Sequence, residues 1–114
     1  MLDPGPAKKV TIHLNEDTVS RNDFLSNEIL SLLLKQGVAG GTVLRPEAGF
    51  GAHHRMHSGE PGSDIAQHMP LRIEFIDTKQ NVDTFLPALQ ELVTDGLIEV
   101  QDTVILKVAV GPPR

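Results

Sequence analysis

Apolar and polar residues alternate through Val10, Thr11, Ile12, His13 and Leu14, the period of two that marks a half-buried strand. Residues 15–22 are polar and turn-rich. Within them Ser20, followed by Asp23, approximates a capping box with Asp in place of Glu. Leu25, Ile29, Leu32 and Leu33 then recur at helical spacing on one face, and Gly37 can adopt the left-handed conformation that closes a helix. Residues 40–45 start a second strand. Pro46 brings no ladder donor, so this strand is predicted to be an edge or to contain a bulge there. Leu71, Ile73 and Phe75 alternate with Arg72 and Glu74 in a third strand, and Asp77 is the predicted N-cap of a second helix, with Gln80 at the capping-box position. Val82, Phe85, Leu86, Leu89 and Val93 give that helix its apolar face. Pro87 is predicted to kink it, unless its regular part begins just before the proline. After Gly96, residues 97–100 and 103–110 predict one short and one longer strand.

The order is β-α-β, a long intervening segment, β-α-β and a final strand. It predicts an α+β fold, the ferredoxin-like (split β-α-β) sandwich, whose antiparallel sheet carries both helices on one face. Residues 1–7 read as a flexible N-terminus, 8–110 as a single domain and 111–114 as a tail. Residues 49–69 stand apart, with five Gly or Pro, four His and little apolar periodicity. They read as a long exposed loop, about 52–69 being its flexible part, and long loops in small domains are often functional. Val104, Leu106, Val108 and Val110 share one face of the last strand, with Ile105 and Ala109 on the other. Ile76 likewise faces away from Phe75. Apolar residues on both faces suggest a sheet covered on both sides by self-association. An ordinary scatter of exposed apolar residues gives the same pattern.

Composition narrows the chemistry. The 114 residues suit one domain, and they include no Cys, Trp or Tyr and four Phe. Thiol nucleophiles, cysteine-built metal sites and an aromatic stacking platform for nucleic acid are therefore excluded or disfavoured. The net charge of −5 argues against a broad nucleic-acid footprint. No apolar run approaches the roughly 20 residues of a membrane span, and residues 1–9 lack the apolar core of a signal peptide. The expectation is a cytoplasmic protein without direct membrane insertion.

Three candidate chemistries remain. Gly49-Phe50-Gly51 is followed by His53, His54, Arg55 and His57 and preceded by Arg45, with Glu47 the sole carboxylate between Arg45 and His57. Small residues let backbone N–H groups approach a ligand, and this cationic island in an acidic chain suits phosphate or another anion. A glycine-rich strand end with solvated basic residues would read the same. Second, His53, His54 and His57 could ligate zinc, copper or nickel, though His53 and His57 share a metal only on a helix, which the glycines oppose. Exposed loop histidines are the plainer reading. Third, Ser58 and Ser63 lie near His57 and Asp64, but triad members converge from separate elements and no nucleophile elbow is present. Catalysis is not expected, and a small trimeric enzyme acting on an anion is the weakest of the readings.

The blocks 37–45, 49–52 and 55–57, then 73–77, Phe85-Leu86-Pro87, Leu89, Glu91, Leu92 and Gly96-Leu97, resemble the signature of domain of unknown function 190, over about residues 8–110. That family is regarded as PII-like. PII signalling proteins are ferredoxin-like homotrimers with a flexible loop after the second strand. They bind adenine nucleotides between subunits and signal to channels, enzymes or regulators. Their Gly-x-Thr-Val start and Gly-Phe-Gly end match Gly40, Thr42, Val43 and Gly49, Phe50, Gly51 here.

The resemblance implies a site shaped by Thr42, Gly49, Phe50 and Gly51, with Arg45 and Arg55 as phosphate partners. It implies no required cofactor but an adenine nucleotide (ATP, ADP, AMP or cyclic AMP) as effector, and a membrane channel, transporter or enzyme as regulated partner. Members of the family often accompany fluoride-export channels. Two departures stand out. The interval from Thr42 to Gly49 is one residue longer than in PII proteins proper, which flips the following face unless a bulge, marked by Pro46, absorbs it. The later phosphate-holding Gly-x-Gly-Lys loop is missing, leaving Lys107 as the late basic candidate.

Overall fold

In the computed structural model, residues 2–15, 17–19, 23–45, 48–49, 57–58 and 70–112 are described. Strand β1 (Gly5–Asn15) leads to α1 (Leu25–Lys35) and the short β2 (Thr42–Leu44). Two-residue strands β3 (Ala48–Gly49) and β4 (His57–Ser58) follow, then β5 (Pro70–Thr78), α2 (Lys79–Leu92) and β6 (Leu97–Ile105). The main sheet has the order β2-β5-β1-β6, and each neighbouring pair is antiparallel. This is the ferredoxin-like arrangement that the element order predicts. β3 and β4 pair separately as an antiparallel ribbon.

Period-two alternation decides which sheet face is buried. Val10, Ile12 and Leu14 on β1 and Leu71, Ile73 and Phe75 on β5 form one core with Leu25, Ile29 and Leu33 of α1 and Val82, Phe85 and Leu89 of α2. Each such side chain contributes about 1.5–3 kcal/mol by leaving water. The Phe75 and Phe85 rings lie 5.6 Å apart and tilted, joining β5 to α2. Gly37, at φ 77°, ends α1 as expected: its N–H donates to the Leu34 carbonyl, and the Val38 N–H donates to that of Leu33. That pair of bonds is a Schellman motif.

Five expectations need correction. α1 is capped by Phe24 with no side-chain cap bond, and Asp23 instead accepts from the Phe24 N–H at 2.7 Å and the Asn27 amide at 3.2 Å; Ser20 lies outside the described residues. α2 is capped by Thr78, whose Oγ1 accepts from the Asn81 N–H at 3.3 Å. Asp77 stays in β5, 3% exposed, and accepts from the Thr78 N–H and the Asn81 side-chain amide. Pro87 lies inside a helix that already begins at Lys79 and runs on to Leu92, so the regular part does not start at the proline. Pro87 and Asp83, whose carbonyl loses its helical donor, are both exposed, so water can take that bond. The two C-terminal strands are one. Gln101 and Asp102, which seem to break the pattern, sit opposite Lys9 and Lys8 and continue the ladder. β6 stops at Ile105 because that residue faces Gly5, where β1 begins behind Pro4. β1 thus starts within the stretch read as an N-terminal tail, and Ala7 is buried.

Candidate functional site

The predicted site begins on β2, which is an edge strand, as Pro46 indicates. Thr42 pairs with Glu74, Val43 with Ile73 and Leu44 with Arg72. Arg45 follows directly and is exposed. The chain returns at Ala48 and Gly49, which pair with Ser58 and His57. The first glycine of the Gly-Phe-Gly element therefore sits in a ribbon with the histidine that ends the basic stretch. Phe50, Gly51, His53, His54 and Arg55 lie outside the described residues, as do Pro46 and the bulge that it would mark. Among the described residues no cluster of three or more His, Asp or Glu could hold a metal ion.

The sheet face away from the helices mixes charged and apolar residues where it meets β2. Register sets its rows. Thr42, Glu74, Thr11 and Glu99 form one, and Leu44, Arg72, His13 and Leu97 the next. Glu74 is about one-fifth exposed and lies 3.4 Å from Arg72 Nε and 3.9 Å from Lys9 Nζ. His13 Nε2 lies 3.4 Å from Glu99 Oε1. Arg72 thus brings a guanidinium beside the end of β2, close to where Arg45 leaves the sheet. Sequence reading passes over Arg72, because within its own strand it is merely the polar member of an alternation. Only the register with Leu44 connects it to the site.

Lys107 is placed differently. It is exposed, two residues beyond the end of β6. β6 and β2 are opposite edges of the sheet, separated by three strand spacings, about 14 Å. A single chain does not bring Lys107 to Thr42 and Arg45.

A surface groove elsewhere, at the start of α2, is lined by Asp3, Pro6, Thr78, Lys79, Asn81 and Asp83 among others. A 2.6 Å hydrogen bond from Lys8 Nζ holds the Asp83 carboxyl below the ordinary carboxylate range. Desolvation opposes the shift, and Lys79 Nζ at 3.3 Å reinforces it. None of the predicted site residues lines this groove, and its carboxylates disfavour an anionic ligand. No helix among the described residues is long and apolar enough to cross a membrane.

Comparisons with known proteins fit this picture. The UPF0166 protein MJ1524 of Methanocaldococcus jannaschii is 29% identical over 105 residues, covering 89% of this chain and 93% of that protein. Among solved structures, CPII from Thiomonas intermedia K12 is described as a nitrogen regulatory PII-like protein bound to ADP, AMP and bicarbonate. It superimposes with a TM-score of 0.62 at 22% identity, over 98% of this chain and all of that one. A protein of Thermus thermophilus described as a putative PII-like signaling protein gives a TM-score of 0.63 at 19% identity, over 92% of this chain and 94% of that one. At these identities the likeness is one of fold, and the fold is PII-like. The family model of DUF190, described as "Uncharacterized ACR, COG1993", matches residues 7–105. The chain therefore belongs to the family of domain of unknown function 190.

Proposed function

We propose that this protein is a PII-like signalling protein. It assembles as a homotrimer, binds an adenine nucleotide between subunits and regulates a partner through residues 52–69. It is not an enzyme in this reading. The supporting observation is the fold it shares, end to end, with a PII-like protein solved with ADP and AMP. The chemistry agrees. Arg45 leaves the edge strand beside Arg72, and Gly49 opens the small-residue segment that carries Arg55 in an otherwise acidic chain. In this reading Thr42, Gly49, Phe50 and Gly51 shape the site, and Arg45 and Arg55 neutralise the phosphates. Lys107, stranded at the opposite edge of its own sheet, serves the site of a neighbouring copy. Two effectors with different affinities for two arrangements of 52–69 would set the signal. The protein acts in the cytoplasm, and its partner is a membrane channel, a transporter or an enzyme.

A crystal structure grown with ADP or AMP tests the location. The reading expects nucleotide density beside residues 49–51 with atoms of two copies in contact with it. Nucleotide bound within one copy, away from β2, would overturn it.

A further inference from the structure

Glu74 lies in the middle of β5, on the sheet face away from the helices, with its side chain mostly buried. Two cations stand around it, Arg72 Nε at 3.4 Å and Lys9 Nζ at 3.9 Å. Neither contact is as short as the roughly 2.7–2.9 Å of a charge-assisted hydrogen bond. The patch therefore sets two positive charges against one negative charge, and both pairs are loose.

Arg72 precedes Glu74 by two residues on one strand, so both project from the same face. Register sets Arg72 opposite Leu44, the last residue of β2, and Glu74 opposite Thr42. The Arg72 side chain is 47% exposed. A guanidinium so open to water gains little from a single carboxylate, because solvent screens the pair. A phosphate offers it a bidentate contact of better geometry. Glu74 cannot accompany Arg72 to such a ligand, since its own charge repels an anion. Lys9 stays beside Glu74 when Arg72 turns away, so the carboxylate keeps a cation.

We infer that Glu74 is a built-in competitor of the anionic effector. It holds Arg72 while the site is empty, and a phosphate of the effector takes its place on Arg72. The inference rests on the proposed function. It adds Arg72 as a further phosphate partner and Glu74 as the residue that sets the affinity by opposing the ligand.

Two measurements decide it. Calorimetric titration with ADP compares the wild type, Glu74→Gln, Arg72→Gln and the double variant, with circular dichroism as the check of folding. Glu74→Gln should bind ADP about threefold more tightly or better, a gain that loss of a merely structural residue does not produce. Arg72→Gln should bind it about tenfold more weakly, and in its background Glu74→Gln should bring little further gain. A wild type that binds ADP together with a Glu74→Gln variant that binds no more tightly overturns the inference and leaves the proposed function standing. So does a gain from Glu74→Gln that persists undiminished without Arg72. A wild type that binds no ADP overturns both. The second measurement needs no variant. A crystal structure of the wild type with ADP should show the Arg72 guanidinium on a phosphate and turned from Glu74. Bound ADP with Arg72 still on Glu74 overturns the inference.

Discussion

Single residues set sharp limits in this fold, and two glycines show how. Gly96 has φ 153°, and a Cβ placed there would lie 2.6 Å from the His13 carbonyl oxygen. Gly37 is left-handed too, at φ 77°, but a Cβ there meets nothing within 4 Å. Gly37→Ala should therefore cost about 1 kcal/mol, the backbone penalty alone. Gly96→Ala should cost about 2 kcal/mol or more, because the β1–β6 approach must also give way. Urea denaturation of the two variants measures the difference, and equal losses would contradict the steric account. Asp83 gives a pH signature. Its carboxyl is held below the ordinary range mainly by the bond from Lys8. Its contribution to stability is present above about pH 4 and is lost as pH falls through the depressed folded value. The stability gap between wild type and Asp83→Asn should therefore narrow on acidification below about pH 4. A gap constant with pH would exclude that ion pair as its source.

At the scale of elements, α2 has two testable supports. Thr78→Ala removes the N-cap acceptor and should cost about 1 kcal/mol. Leu89→Ala empties a fully buried position and should cost about 3 kcal/mol. Thermal unfolding ranks them, and a larger loss from Thr78→Ala would contradict the packing described. The apolar stripes of β1, β5, α1 and α2 were legible in the sequence, because burial on one face enforces a period of two or 3.6 that no other constraint imitates. The Gly37 cap was legible for a similar local reason. Choosing Thr78 over Asp77 as the cap was not, since both side chains suit the role and tertiary burial of Asp77 decides between them. The continuity of β6 through Gln101 and Asp102 depends on two lysines of another strand. For the candidate site, residue types were legible but their placement was not. Register alone puts Arg72 beside the end of β2, and sheet order alone puts Lys107 on the far edge.

For the whole molecule, the sheet has two unequal edges. One holds Thr42 and Arg45, the other ends in an apolar overhang that carries Lys107. Leu106 and Val110 are almost fully exposed, and the nucleotide site of the proposed function would lie between copies of the chain. The net charge of −5 averages over this layout, since the stretch from Arg45 to His57 holds two Arg, three His and a single carboxylate. Isothermal titration calorimetry of ADP into the assembled protein tests the central claim most directly. The account predicts saturable binding with one site per chain, weakened at least tenfold by Arg45→Ala. No binding heat at millimolar ADP, AMP, ATP or cyclic AMP, to protein confirmed as a trimer, would contradict it.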